Sequence, residues 1–375
     1  MDFTLSDTHQ MIRDTVRKFA EEEIKPRARE LDEKEEFSEP LTKRMGEIGL
    51  FGIVVPQEYG GHGLDYMAYA VACEEVARVD GSHAATITAH NSLGVGPLYY
   101  FGNDAQRKKY LPPLCTGEAL WAFGLTEPSA GSDSRGSKTF AKKVEGGWII
   151  NGSKIFITNG SSRMNKGVTV QAVTGGTKEK PELSCFIVER GNPGFSSKTM
   201  HGKLMWRASD TSELYFTDCF VKDDAMLGPQ GSGSKQMLQT LDSGKIGIAA
   251  MGVGCAQGAY EAAMAYAKER QQFGKPLAQF QAIAFKLADM ATKIELARTL
   301  LYKVCWMRDR GDVITKEAAM AKLYASEIAR EVADEAVQIH GGYGLMKEYY
   351  VDRLYRDQRH LQIGEGTIEI QRIII

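Results

Sequence analysis

Several common signatures are missing from this sequence, and each absence removes a class of function. No apolar run reaches the roughly 18 residues of a membrane-spanning helix. The N-terminus, MDFTLSDTHQ, is polar and lacks the charged-then-apolar layout of a secretory leader, so a cytoplasmic location is expected. Charge of either sign is not in surplus: 46 Lys plus Arg face 48 Asp plus Glu, for a net charge of −2. A general nucleic-acid binder would carry a basic excess, and that class is set aside. Cysteine is sparse and scattered (Cys73, Cys115, Cys185, Cys219, Cys255, Cys305) with no C-x-x-C, which predicts reduced thiols rather than a disulfide framework. The seven histidines form no H-E-x-x-H or paired Cys/His spacing, so no metal is expected. No G-x-S-x-G elbow occurs either.

Proline is absent where helices are expected. All 11 prolines precede position 277, and beyond Pro229 only Pro276 remains. The last third of the chain is therefore free to form long helices. Helix formers fill Ser232 to Gln271. From Gln279 to Arg310, Ile283, Leu287, Met290, Ile294, Ala297 and Leu301 fall at three- and four-residue steps; from Thr315 to Ile339, Ala319, Leu323, Ile328, Val332 and Val337 do the same. Three such helices in succession predict a bundle. The first ~115 residues carry helical periodicity too, with Ile12, Val16, Phe19 and Ala20 on one face behind a capping-competent Ser6-Asp7. Gln57 to Asp65 is a glycine-rich loop. Between Trp121 and Val221 the period changes to two. Strands are predicted over Val168 to Val173, Ser184 to Glu189 and Glu213 to Val221, with turns at Gly175-Gly176 and Pro193-Gly194. Asn151-Gly152, between apolar flanks, predicts a hairpin turn. Strands gathered in one block argue against a doubly wound dinucleotide fold.

Two glycine motifs fail on inspection. Gly252-Val253-Gly254 with Gly258 is one residue too long for G-x-G-x-x-G and lies within a predicted helix, where close helix packing explains it better. Gly131, Gly136 and Ser137-Lys138-Thr139 approach a P-loop with the lysine displaced by one. His340 and His360 are expected in structural or solvent-facing roles.

Three sets of segments carry a resemblance. They are FGLTEPSAGSD (Phe123 to Asp133) with KIFITNG (Lys154 to Gly160); ERQQFGKPLAQFQ (Glu269 to Gln281); and AVQIHGGYG from Ala336 with LYRDQRHLQIGEGTIEIQR (Leu354 to Arg372). Together and in this order, over essentially the whole chain, they resemble the acyl-CoA dehydrogenase family of FAD enzymes. The resemblance implies an α+β, mainly α chain: an N-terminal helical domain (1–120), a middle β-barrel-like domain (121–230) and a C-terminal four-helix bundle (231–375).

It also implies roles. Phe123, Leu125 and Thr126 would line the flavin, Gly131 and Ser132 would reach the pyrophosphate or the CoA chain, and Phe156, Ile157 and Thr158 would stack on the isoalloxazine. Arg270, Phe273, Gln281, Gln338 and Gly342 would touch the FAD of a neighbouring subunit, which implies a homo-oligomer, commonly a tetramer. Thr367 and Glu369 join the cofactor set. Asp242, Lys245, Ser132 and Gly366 are the expected acyl-CoA contacts, with Lys245 where an arginine is commoner. Glu365 would be the catalytic base, taking the α-proton while the β-hydrogen leaves as hydride to the flavin. Its own N–H and a flavin ribityl hydroxyl would hold the thioester oxygen, donors aimed where charge develops. Some branches place the base at the position of Gly244, which carries no side chain here.

Without the other segments, Arg270 is an ordinary surface charge and Glu365 a carboxylate at a helix start. Gly364 stands where straight-chain enzymes often have tyrosine, which predicts room for a branched or cyclic acyl group. Glutaryl-type relatives place an arginine near His83; its absence weakens a dicarboxyl substrate, although the histidine could partly substitute. Reoxidation implies an electron-transferring flavoprotein as partner. The alternatives are a glutaryl-type dehydrogenase and a flavin-free scaffold.

Overall fold

The computed structural model describes residues 4–375; Met1–Phe3, where the leader reading begins, lie outside the described residues. Ser6 accepts the His9 N–H and opens α1 (Asp7–Phe19), the capping expected of a serine at that point. Val16, Phe19 and Ala20 are buried and Ile12 packs beside them. A π-type stretch, Ala20–Ile24, leads into α2 (Lys25–Lys34), followed by α3 (Glu39–Glu47), α4 (Tyr66–Ala77), α5 (Gly81–Ala89), α6 (Gly96–Phe101) and α7 (Asp104–Cys115). The glycine-rich segment after Gln57 connects α3 to α4, as expected.

The strand block follows: β1 (Leu120–Gly124), β2 (Phe140–Val144), β3 (Gly147–Thr158), β4 (Asn165–Gly176), β5 (Pro181–Glu189), β6 (Phe195–Thr199), β7 (Thr211–Lys222) and β8 (Met226–Leu227). They form one mixed sheet in the order β6-β7-β3-β2-β4-β5-β8, with β1 parallel to β4. Its own core gathers Ile150, Val168, Val170, Phe186, Val188 and Leu214.

The Asn151-Gly152 hairpin does not form. β3 runs straight through it, and the turn lies at Glu145-Gly146, where Gly146 has φ +72°. Pairing of β3 with β7 along its whole length outweighs a two-residue turn preference. Gly152 instead marks a bulge: Ile150 pairs with Cys219 while Gly152 pairs with Phe216. A Cβ there would stand 2.7 Å from the Thr139 Cα, so the glycine serves close approach of β2's leading segment.

The final third holds α8 (Gly233–Glu269), a small hairpin of β9 (Gln271–Gln272) and β10 (Lys275–Pro276), α9 (Gln281–Asp309), α10 (Thr315–His340), α11 (Val351–Asp357) and α12 (Ile368–Ile374). Leu287, Met290, Ile294, Ala297 and Leu301 of α9 are buried as their spacing predicts. In α10 the buried face centres on small residues (Ala318, Ala325, Ala329, Ala333), leaving Leu323 and Val337 only half-buried. Alanines let α8 and α10 approach closely along their length. Gly252, Gly254 and Gly258 do the same for α8, since a side chain at any of them would strike Ala325, Glu74 or Arg78 backbone. Only three helices of this set are long; α11 and α12 pack on α10 as short pieces. All six cysteines are buried and unpaired.

Candidate active site

Glu365 lies in a tight turn between the 3-10 segment Gln358–Gln362 and α12. The Ile363 and Gly364 amides both donate to the His360 carbonyl (2.8 and 2.9 Å). Glu365 then adopts φ +54° and Gly366 φ +91°. A side chain in the left-handed region costs roughly 1–2 kcal/mol, so something must hold it. Lys322 Nζ donates to the Gly366 carbonyl at 2.7 Å. Gln371 Nε2 donates to the same oxygen at 2.9 Å and to the Glu365 carbonyl at 3.3 Å. Lys322 and Gln371 are both fully buried.

The carboxylate itself is directed inward. Glu365 Oε2 is shielded from solvent and has no hydrogen-bond partner. It rests against Gly244 of α8, where a Cβ would overlap Oε2 and stand 2.8 Å from Cδ. Burial pushes the Glu365 carboxyl up to about 7, against the opposing pull of Lys322 and Lys245. An uncompensated buried carboxylate is costly, and such groups concentrate at functional sites. Lys245 is buried and pairs with Asp242 at 2.7 Å, while the other Asp242 oxygen accepts from Thr315 at 2.6 Å.

One helical turn along α8, Gly247 abuts Thr88 and the Tyr69 hydroxyl. A cleft beyond is lined by Tyr66, Tyr69, Asn91, Ser92, Val95 and Tyr100, among others. The Tyr66 hydroxyl is 2.6 Å from that of Tyr100 and donates to Ser243 at 3.2 Å. The space beside Gly364 is not open: a Cβ there would overlap the His360 ring, which tilts against Trp206 at 4.1 Å between centroids. The room predicted at Gly364 is thus already filled by His360. His83 is buried with Nδ1 2.6 Å from Asp80, the N-cap of α5, so this nitrogen serves the helix start. His340 is likewise structural, bonded to Ala336 and stacked on Tyr266 at 4.3 Å.

The sheet contributes a second surface. The Ile155 N–H donates to the Thr126 carbonyl (2.9 Å), which brings Leu125 and Thr126 alongside Phe156, Ile157 and Thr158. Phe123 and Ile157 are buried, whereas Phe156 is 63% exposed at φ +61°. An aromatic ring held outward at a strained residue on a strand end offers a stacking face. The Gly131-Ser132 turn is exposed, with no atom within 4 Å of a Cβ at Gly131. Beneath it lies an ion pair that the sequence did not announce. Lys154, fully buried, bonds Glu127 at 2.7 Å and the Leu125 carbonyl at 3.1 Å. Glu127 also accepts from the Lys138 and Thr139 amides. Despite its burial, the Lys154 charge holds Glu127 down to about 2. α5 connects this surface to the base: Asn159 donates to Thr86, and Thr88 touches Gly247.

Arg270, Phe273, Gln281, Gln338 and Gly342 form a separate exposed group. Phe273 is 93% exposed on the β9–β10 turn, and the Arg270 guanidinium lies over the Tyr343 ring, 5.4 Å from its centroid. Gly244 and Arg270 are 26 residues apart on or just beyond α8, about 39 Å at 1.5 Å per residue. The fold therefore does not join this group to Glu365 within one chain. The Thr367 hydroxyl caps α12 by accepting the Ile370 N–H, and Glu369 is exposed just beyond it.

Lys322, Gln371, Glu127 and Lys154 were not singled out from the sequence. The signal for Lys322 was available: it is a lone charge in register with the buried alanines of α10. No metal-holding cluster of His, Cys, Asp or Glu occurs among the described residues, and none of their helices is long and apolar enough to cross a membrane.

Three family descriptions match successive parts of the chain. They are "Acyl-CoA dehydrogenase, N-terminal domain" over residues 6–118, "middle domain" over 122–219 and "C-terminal domain" over 231–375. The probable acyl-CoA dehydrogenase YngJ of Bacillus subtilis is 48% identical, the alignment covering 100% of this chain and 98% of that protein. The solved butyryl-CoA dehydrogenase of Megasphaera elsdenii superposes with a TM-score of 0.97 at 42% identity, covering 100% and 98% of the two chains. A chain in the structure described as the electron transferring flavoprotein of Acidaminococcus fermentans also gives 0.97, at 44% identity and the same coverage. Relatives of this kind are flavoprotein oxidoreductases. On these matches, spread over its whole length, the chain belongs to the acyl-CoA dehydrogenase family.

Proposed function

We propose that this enzyme removes two hydrogens across the Cα–Cβ bond of a short acyl-CoA thioester, giving the 2-enoyl-CoA, and delivers the electrons to an electron-transferring flavoprotein. The observation that carries the reading is the Glu365 carboxylate, its Oε2 enclosed and unpartnered and its pKa raised to about 7. A base poised near neutral pH is suited to taking an α-proton, because its basic form is present while its proton affinity is high. The Glu365 N–H, beyond the two amides that close on His360, would donate to the thioester oxygen as negative charge develops there. Bound FAD would supply the hydride acceptor for the β-hydrogen.

The residues present fit that cofactor. Phe123, Leu125, Thr126, Phe156, Ile157 and Thr158 would hold the ring from the sheet, with Gly131 and Ser132 at the polar chain. Arg270, about 39 Å along α8 from Gly244, would serve with Phe273, Gln281, Gln338 and Gly342 the cofactor of a second copy, which supports a homo-oligomer, in our reading a tetramer. An arginine fork suits a pyrophosphate. Thr367 and Glu369 would border the site at the α12 start. We assign Ser132, Asp242, Lys245 and Gly366 to the thioester's surroundings, with Lys245 held by Asp242.

Tyrosines 66, 69 and 100 wall the cleft beyond Gly247, which favours a short acyl chain, in keeping with the Megasphaera butyryl-CoA enzyme. The electron-transferring partner is supported by the likeness to the Acidaminococcus chain. The test is anaerobic titration of the purified flavoprotein with acyl-CoAs of graded length and branching. Bleaching is expected to be greatest with short straight chains. Spectra that stay oxidised with every thioester would refute the reading.

A further inference from the structure

A buried lysine behind the base has no role in the reaction as described. We propose that Lys322 is a positioning residue for Glu365. Its ammonium, enclosed in α10 and bound to the Gly366 carbonyl, locks the left-handed turn and supplies the buried cation that keeps the carboxylate ionisable. The inference rests on Glu365 being the base.

Three features of the geometry support it. Lys322 is fully buried among alanines, and its ammonium donates to the Gly366 carbonyl at 2.7 Å. A neutral donor would satisfy that carbonyl without the cost of enclosing an ammonium; Gln371 already does so at 2.9 Å. What a neutral donor would not supply is a positive charge facing an unpartnered carboxylate. Finally, α10 holds the residues just before the turn with neutral groups: Ser326 donates to the Leu361 carbonyl at 2.8 Å, and its own carbonyl accepts from Gln362 at 2.9 Å. The other α10 charge on this side, Glu327, is paired with Arg372 of α12; Lys322 has no such partner among the described residues at the level of the base.

The other groups facing Glu365 do not duplicate it. Lys245 on α8 is already paired with Asp242. Glu369 on α12 is exposed and negative. Tyr69 on α4 is kept neutral by burial. His360 is depressed to about 4 by burial and by the nearby Lys322 and Lys203 charges, so it is neutral too. Burial lowers Lys322 itself to about 8, with Glu365 acting to raise it, so it remains charged at neutral pH.

An opposite charge within about 4–6 Å moves a carboxyl by one pH unit or more, and the Lys322 ammonium is anchored on the residue next to Glu365. The test is a pH titration of the flavin-loaded protein, without substrate, by infrared difference spectroscopy. The carboxylic-acid C=O band of Glu365 is identified by its loss in Glu365→Gln. Lys322→Met is expected to raise the Glu365 midpoint by at least about one pH unit, a tenfold gain in proton affinity, while Lys322→Arg stays near wild type. Should Lys322→Met not fold, Lys322→Gln, which keeps a donor and loses the charge, is expected to give the same upward move. A midpoint unchanged in the neutral variant would overturn the assignment and leave Lys322 as filler. The band requires no turnover. A protein that bleaches with no thioester yet shows the shift would refute the dehydrogenase reading alone.

Discussion

Glu365→Gln should make the protein more stable, and more so at neutral than at acid pH. The Glu365 carboxyl titrates near 4.5 in an unfolded chain and at about 7 in the fold. Its folded pKa is raised, so the stability it contributes is complete below pH 4.5 and declines as pH rises through 7. At about 1.4 kcal/mol per pH unit, the full loss is about 3 kcal/mol. Near pH 5 the loss is only about 1 kcal/mol, and near pH 7.5 it is almost complete. Replacing the acid by a neutral amide of the same shape removes this term. Urea midpoints of wild type and Glu365→Gln, at fixed protein and FAD concentrations, should therefore differ by about 2 kcal/mol more near pH 7.5 than near pH 5. A difference that is flat with pH, or that favours wild type more strongly at pH 7.5, would refute the buried-carboxylate argument. The stabilised variant should also be inactive, since the ionised carboxylate whose burial cost it removes is the proposed base.

Further outcomes follow from other parts of the site. Gly244→Ala places a methyl group where Glu365 Oε2 now rests; the rate of flavin reduction should fall by roughly tenfold or more with flavin content unchanged, a misplacement effect. Glu127→Gln leaves Lys154 buried without its counter-charge, so the melting temperature should drop and flavin binding weaken, with a cost of about 3–5 kcal/mol by unfolding. Arg270→Ala should lose flavin affinity on its own. Refolded mixtures of Arg270→Ala with Glu365→Gln should recover activity in about a quarter of sites if the arginine serves a neighbouring subunit; no recovery would place it elsewhere.

Much of the architecture was legible because it follows from periodicity. The α9 stripe, the α1 cap and the strand block all reflect local spacing, and the glycines of α8 lie where close packing needs them. The Asn151-Gly152 turn was misjudged because a two-residue preference lost to pairing along the whole of β3 and β7, a non-local term invisible in a short window. Phe273 and Arg270 carry little meaning in one chain, exposed as they are. Glu365 was identified by resemblance; what made it chemically distinctive, the enclosure by Gly244 and the left-handed turn, exists only once α8, α10 and α12 meet. Lys322 was overlooked for a similar reason: helical spacing shows that a charge interrupts an alanine face, but not that a carboxylate lies opposite. The room inferred at Gly364 failed because His360, four residues earlier, folds back into it.

The most direct test of the central claim is rapid mixing of butyryl-CoA with oxidised wild-type and Glu365→Gln flavoprotein under anaerobic conditions, following flavin absorbance. With Glu365 as the base, wild type should bleach in a single fast phase, and Glu365→Gln should show a ligand-induced spectral shift with no bleaching. Bleaching of Glu365→Gln at the wild-type rate would contradict it.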